Sequence, residues 1–173
     1  MMTRWVRTLC AVGLKSLIAQ AMGRGVHPPL SERADGVVED AVRIESLTKT
    51  DVASAVQLAV RVLQVRPGDR GEQFASDIID DRRQMFVAKA NGQVVAYGRA
   101  TELAADEAAP GTPAGYYLRG VLVEPALRRR GIALALTQTR LRWVFACADE
   151  VFYVAGADNI ASLRLHALSV SRK

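Results

Sequence analysis

In the first part of the fold, the pattern of apolar and polar positions predicts a short strand followed by a helix. A short, partly alternating apolar run predicts a strand over 42–47. Thr48 and Asp51 then have the spacing of a capping box, which marks the start of a helix. Apolar residues at helical spacing predict that this helix covers about 51–64: Val52, Val56, Ala59 and Leu63.

The pattern changes to that of strands around Asn91-Gly92. Two strand-like runs, 85–90 and 93–97, flank this dipeptide. Both central residues of a type I′ turn need a positive φ, and asparagine and glycine adopt it most readily. The sequence therefore predicts a tight β-hairpin at this point.

The other elements complete an α/β pattern. Pro67-Gly68 is expected to end the first helix, and a second helix is predicted over about 72–82. After the hairpin come a loop over 104–115, a strand over 116–123, a helix from Gly131 to about 147, a strand over 151–154 and a helix over 162–168. Strands and helices in this order, in one chain of 173 residues, predict one domain with helices packed on a mixed sheet.

Residues 1–40 are expected to form an N-terminal extension or linker, either partly helical or disordered, ahead of a domain over 41–173. Lys15 interrupts the apolar run near the start of the chain, and no small-residue cleavage site follows it. These features argue against a secretory signal, and the run is too short to cross a bilayer. The stretch 26–40 is polar and rich in turn residues, as linkers are.

The distribution of charge and the number of cysteines exclude several classes of function. Much of the net charge of +5 lies in a short stretch, at Arg128, Arg129, Arg130, Arg140 and Arg142. A compact cluster beside a glycine suits a pyrophosphate, and no nucleic-acid motif accompanies it, so we expect no nucleic-acid function. Cys10 and Cys147 form neither a disulfide framework nor a CxxC zinc pair. We expect Cys147 in the core, no metal, no membrane association and a cytoplasmic location.

Residues 121–133 form the candidate anion site. A strand ends at Val123, an arginine-rich turn follows, and Gly131 opens a helix. The first amides of a helix lack intrahelical acceptors, and the helix dipole adds positive charge there. Gly131 and Ala133 leave the backbone uncovered, and nearby arginines donate bidentate hydrogen bonds. The alternative, a solvated basic turn, stays open for the arginines taken alone.

The order of these residues resembles a known motif. Arg128-x-x-Gly131-x-Ala133 is similar to the acetyl-CoA motif Q/R-x-x-G-x-G/A of the GNAT acetyltransferases. A phosphate-binding P-loop would need Gly-Lys-Ser/Thr, and a dinucleotide fingerprint would need G-x-G-x-x-G. Neither follows here.

A second segment strengthens the resemblance. Asn159-x-x-Ser162-x-x-Leu165-His166 is similar to the later N-x-x-S/A-x-x-L-Y/H segment of the same family. A helix and a strand separate the two motifs, as in that family. The resemblance covers about 41–168 and implies an acyl-CoA N-acyltransferase-like fold, with a mixed central sheet flanked by helices.

The resemblance implies transfer of acetyl from acetyl-CoA to a primary amine of a small molecule or a protein by direct attack. The strand before the pyrophosphate cradle (residues 128–133) would separate from its neighbour and admit the pantetheine arm. The residues implied to bind the cosubstrate are Leu122 and Val123 for the pantetheine amides, Asn159 for the pantetheine region, and Arg128, Arg129, Arg130, Gly131, Ile132 and Ala133 for the pyrophosphate.

The resemblance also yields catalytic candidates. His166 stands where the family usually has a tyrosine that protonates the leaving thiolate, and an imidazole titrates near neutrality. Tyr117 and Glu102 are candidate bases, although the choice between them stays open. Asp106 and Glu107 would either attract a cationic acceptor or keep a loop hydrated.

The chain departs from the family after 168. The family continues through a Leu-Gly-Phe turn into two further strands, which do not follow here. We therefore expect a fold whose last strands are missing and whose apolar sheet edge is exposed, with dimerisation or strand addition by a partner as a consequence. A catalytically impaired acyl-CoA-binding or regulatory module is the alternative function.

Overall fold

The computed structural model describes residues 5–12, 16–21, 42–156 and 158–170, with side chains described between 42 and 167. Seven strands occur in these residues: β1 (Trp5–Val12), β2 (Ser16–Ala21), β3 (Val42–Ser46), β4 (Arg83–Ala90), β5 (Gln93–Leu103), β6 (Gly115–Val123) and β7 (Glu150–Gly156). The helices are α1 (Val52–Leu63), α2 (Pro67–Ile79), α3 (Ile132–Val144) and α4 (Ile160–Val170). None of these helices is long and apolar enough to cross a membrane.

The strands form one mixed sheet in the order β2-β1-β7-β6-β5-β4-β3. The pairs β1–β7 and β6–β7 are parallel, and the other neighbouring pairs are antiparallel. The mixed sheet with flanking helices that the sequence predicted is confirmed.

Helices cover both faces of this sheet. Val87 packs in a cluster with residues of α1 and α2, whereas its neighbour Phe86 packs in a cluster with residues of α3. Successive strand residues point to opposite faces, so α1 and α2 lie on one face and α3 lies on the other. Helix α4 packs beside α3.

The local patterns hold in detail. Asn91 and Gly92 have φ values of 49° and 77°, as a type I′ hairpin requires. The carboxylate of Asp51 accepts hydrogen bonds from the backbone N–H and the hydroxyl of Thr48, which completes the capping box. Helix α1 follows directly at Val52.

Helix α2 differs from its prediction of 72–82. It begins at Pro67, whereas the sequence predicts that Pro67-Gly68 ends the preceding helix. Proline is favoured in the first helical turn because its fixed φ suits the helix and its missing N–H is not needed there. The first helix instead ends at Gln64, which adopts the left-handed conformation.

The N-terminal extension was predicted to be partly helical or disordered. Its described residues instead form two strands, and β1 pairs with β7 from Trp5–Glu150 to Ala11–Gly156. The expected exposed edge of β7 is therefore wrong, because β1 satisfies its backbone groups.

Candidate functional site

The parallel strands β6 and β7 separate part-way along their length. They pair at only three positions, the last of which joins Leu118 to Tyr153. Beyond this point β6 continues to Val123 and β7 continues to Gly156 without pairing to each other. The predicted opening beside Leu122 and Val123 is therefore present, and the facing strand edges border a gap.

The pyrophosphate cradle lies directly after this gap along the chain. After Val123 the chain makes a 3₁₀ turn over Pro125–Leu127 and reaches Gly131, the N-cap of α3. Gly131 has φ +82°, and a Cβ placed on it would have no atom within 4 Å. Glycine is needed here for its backbone conformation, and the space beside it is open. The first amides of α3 follow directly in the chain, and the first amides of a helix lack intrahelical acceptors.

The three consecutive arginines are exposed at the entrance to α3. Arg128 donates from Nε to the carbonyl oxygen of Val123 at 3.2 Å, which holds its guanidinium against the end of β6. Ile132 is 2% exposed and packs in the core, so only its backbone amide is available to a ligand. These residues fit a pyrophosphate, because they combine positive charge with unpaired helix amides.

Asn159 stands at the N-terminus of α4, beyond the end of β7. Its Oδ1 accepts a hydrogen bond from the backbone N–H of Ser162 at 3.1 Å, so the side chain caps the helix. The second sequence motif therefore has a structural function in α4.

His166 lies on α4, under the end of the paired part of β7. It is 6% exposed and stacks on Tyr153 with ring centroids 3.8 Å apart. Nδ1 has no hydrogen-bond partner among the described residues. Burial and, secondarily, the charge of Arg140 lower the pKa of His166 to about 4. The pKa therefore lies well below the near-neutral value expected from the sequence, and the imidazole stays neutral even in mild acid.

Tyr117 is 2% exposed and stacks on Phe152 with ring centroids 5.2 Å apart. Its hydroxyl donates to the carbonyl oxygen of Pro113 at 2.6 Å. Burial raises the pKa of Tyr117, which disfavours the phenolate that a general base would need. The contacts of Tyr117 are therefore those of a residue packed on one face of the sheet.

Glu102 and Tyr117 do not converge. Glu102 pairs in register with Tyr116, whereas Tyr117 pairs with Thr101. Side chains alternate along a strand, so Glu102 faces the side of α3 while Tyr117 faces the opposite side. The packing of Tyr116 edge-on against Trp143, on α3, confirms this orientation.

Two predictions about the end of α3 need correction. Cys147, expected in the core, is exposed in the turn after the helix, because α3 ends at Val144. Arg140, which the sequence places in the basic cluster that suits a pyrophosphate, is 1% exposed and buried against the sheet. It lies nine positions after Gly131, about two and a half helical turns, so it points away from the cradle and toward the core. A periodicity that placed position 140 on the buried face of α3 would have revealed it.

A buried ion pair between α2 and β5 is not among the features that the sequence predicts. Arg99 donates from Nη2 to Oδ1 of Asp77 at 2.8 Å, and the Asp77 side chain is 1% exposed. The pair joins α2 to β5 beside the β-bulge at which the gap begins.

The opened parallel strands and the glycine-initiated helix define the acyl-CoA N-acyltransferase-like fold. The chain belongs to the acetyltransferase (GNAT) family, whose model matches residues 53–169. The match includes both motifs. No curated protein sequence matches the chain significantly.

Solved structures share this fold. The chain is similar to aminoglycoside 6'-N-acetyltransferase AAC(6')-Ih from Acinetobacter baumannii, with 23% identity, a TM-score of 0.61, and coverage of 76% of this chain and 91% of that one. AAC(6')-Iy bound to a CoA bisubstrate analog has 20% identity and a TM-score of 0.64 over 76% and 91% of the two chains. Ribosomal-protein-alanine N-acetyltransferase from Brucella melitensis biovar Abortus has 17% identity and a TM-score of 0.58 over 77% and 93%.

Proposed function

We propose that the chain transfers acetyl from acetyl-CoA to a primary amine of a small molecule or a protein. The observation that carries this proposal is the continuity of the gap between β6 and β7 with the cradle at Gly131. A linear cosubstrate with a pyrophosphate at one end of its pantetheine arm matches that continuity.

The cradle residues would hold the pyrophosphate. Arg128, Arg129 and Arg130 are exposed residues directly before Gly131 and the start of α3. Charge-assisted hydrogen bonds from guanidinium groups and helix amides are strong at such a position. The amide groups of the pantetheine arm would pair with the free edge of β6 at Leu122 and Val123, as an additional strand does.

The chemical step needs a group that protonates the leaving thiolate and a group that accepts the amine proton. His166 is proposed to relay a proton as a neutral imidazole: one ring nitrogen accepts a proton from water as the other releases its own to the thiolate, so no imidazolate forms. Glu102 is the proposed base, acting through water, because a carboxylate accepts a proton whereas Tyr117 donates its own to Pro113. Asn159 would border the pantetheine region beside β7.

The similar solved structures support an amine as the acetyl acceptor. Two of the similar structures are aminoglycoside N-acetyltransferases, and a third acetylates ribosomal protein alanine by name. Both acceptor classes present an amine to the thioester. A primary amine is therefore the acceptor feature that we propose for this chain.

The test is calorimetric titration with acetyl-CoA, followed by thiol-release assays with an amine panel. We expect saturable binding by the wild type and a dissociation constant about 10- to 100-fold higher for the Arg128→Ala/Arg130→Ala variant, because charge-assisted bonds are lost. Arg142→Ala is the matched control, since Arg142 is exposed on the same helix and its Nη2 contacts Thr139. Equal affinities of the wild type and the double variant would contradict the cradle.

One observation favours a second function, that of an acyl-CoA-binding module without turnover. The catalytic candidates do not converge, because Tyr117 and Glu102 lie on opposite faces and His166 is buried. Binding of acetyl-CoA with no thiol release from any amine would select this function.

A further inference from the structure

Arg140 occupies a position that neither sequence motif explains. It is 1% exposed, and it is one of the largest fully buried side chains among the described residues. All its hydrogen-bond acceptors are uncharged, and no carboxylate within the described ranges pairs with it. Burial lowers the pKa of its guanidinium to about 9, so the group stays protonated at neutral pH. A buried cation without a counter-ion is costly, and its presence needs a physical reason.

The Arg140 guanidinium connects α3 to two strands. Nη1 donates to the carbonyl oxygens of Arg99 at 3.2 Å and Arg119 at 3.5 Å. Nε donates to the carbonyl oxygen of Leu136 at 3.4 Å, and Nη2 donates to the hydroxyl of Thr137 at 2.8 Å. Arg99 and Arg119 face each other on β5 and β6. One side chain therefore holds both strands at the same level.

The sheet changes its geometry at that level. Gly98 pairs with Val121 and Arg99 pairs with Arg119, which leaves Gly120 as an extra residue on β6. Gly120 has φ +47°, as the extra residue of a bulge often does. The pairing of β6 with β7 ends one residue before Arg119. The bulge and the opening of the sheet therefore lie at the same level. A bulge bends its strand, which accounts for the separation of β6 from β7 there.

Gly98 shows how closely the guanidinium approaches the sheet. A Cβ at Gly98 would lie 2.9 Å from Nε of Arg140, closer than side chains tolerate. The φ of Gly98 is not in the left-handed region, so this glycine serves the close approach of the arginine. The glycine and the arginine therefore form one structural unit under the bulge.

We propose that Arg140 is a positioning residue for acetyl transfer: it binds the carbonyl oxygens at the bulge and fixes the angle at which β6 leaves β7. This inference rests on the proposed function. The free edge of β6 would contact the acyl arm, and a small displacement of that edge moves the thioester away from the acceptor. Positioning errors of this kind reduce rates strongly.

The first test compares wild type with Arg140→Met and Arg140→Lys. We expect amide hydrogen exchange over 118–123 to become at least about tenfold faster in Arg140→Met, without change in α1. The same variant should lose about 10- to 100-fold in kcat for acetyl transfer with a smaller effect on the KM for acetyl-CoA. Arg140→Lys should recover part of both, since one ammonium group still reaches a strand carbonyl.

A second pair of variants keeps the test valid if Arg140→Met does not fold. Thr137→Val removes the hydroxyl that accepts from Nη2 and leaves the arginine in place. Thr139→Val is its control, because Thr139 also donates to a helix carbonyl, at Ala135, but does not contact Arg140. Faster exchange over 118–123 in Thr137→Val alone would support the proposal.

The exchange experiment uses no acetyl-CoA, so it separates the two proposals. If the wild type neither binds nor transfers acetyl, the proposed function fails while the exchange result still decides whether Arg140 holds the bulge. Unchanged exchange over 118–123 in a folded Arg140→Met, or equally faster exchange in every element, overturns the positioning role. Unchanged kcat in a variant with a loosened bulge overturns its link to catalysis.

Discussion

Two buried polar side chains determine the electrostatics beneath the opening of the sheet. Arg140 holds its positive charge in the core, and His166 stacks on Tyr153 beside it. The charge of Arg140 and the loss of hydration both disfavour a second cation at His166. A neutral imidazole is consequently part of the folded state at physiological pH.

This neutral imidazole makes stability depend on pH. The pKa of His166 is about 4 in the folded chain and near the ordinary 6.5 in the unfolded one. Between these values the unfolded state binds more protons, so the free energy of unfolding falls as pH decreases from about 6.5 to 4, by at most about 3 kcal/mol. Above pH 6.5 the penalty is absent.

Urea unfolding of wild type, His166→Gln and His27→Gln between pH 4 and 8 checks this dependence. We expect the difference in stability between wild type and His166→Gln to shrink in acid by that amount. His27→Gln, which alters the second histidine of the chain, should retain the slope of the wild type. A slope that disappears in His27→Gln would show that His166 is not its source.

At the scale of elements, glycine has opposite effects on the free energy of unfolding in α2 and at the start of α3. Gly131 caps α3 with φ +82°, a conformation that costs other residues about 1–2 kcal/mol. Gly71 lies inside α2 with helical geometry, and a Cβ there would have no atom within 4 Å. Both sites have space for a methyl group, so backbone conformation alone distinguishes them.

We expect Gly131→Ala to lower the free energy of unfolding by about 1–2 kcal/mol, because alanine is strained in the left-handed region. Gly71→Ala should raise it by about 0.4–1 kcal/mol, because alanine restricts the unfolded chain. Denaturant titration of both variants measures the two effects. Gly131→Asn should fall between wild type and Gly131→Ala, since asparagine tolerates this conformation. Effects of equal sign in the two alanine variants would contradict the assignment.

At the scale of the whole molecule, β7 depends on the N-terminal strands. Its register with β1 covers seven residues from Glu150 to Gly156, whereas its register with β6 covers only three. The opening that forms the candidate site therefore leaves β7 anchored mainly by β1. The two ends of the chain are joined in one sheet by this parallel pair.

Deletion of residues 1–21 tests this dependence. It should remove the partner of β7 and expose the edge of a buried sheet, which promotes self-association. We expect a lower melting temperature and a concentration-dependent increase in mass by light scattering. Deletion of residues 1–4, which precede β1, is the control and should leave both unchanged. A monomeric 22–173 fragment with wild-type melting would contradict the role of β1.

Local interactions allowed much of the fold to be predicted from the sequence. Periodicity predicted α1 and β6 within a residue or two, and turn chemistry predicted the hairpin at Asn91-Gly92. The spacing from Arg128 to Ala133 predicted a pyrophosphate cradle, because a helix start and its charges are contiguous in sequence. These features depend on residues a few positions apart, which one sequence displays directly.

Only the tertiary structure decided the rest. The burial of Arg140 depends on carbonyl oxygens 41 and 21 residues away. The pKa of His166 is lowered by its own burial and, secondarily, by the charge of Arg140. The pairing of β1 with β7 joins opposite ends of the domain, where local propensity has no influence. Charge patterns in a sequence do not distinguish a surface arginine from a buried one, because burial is set by packing between elements distant in the chain.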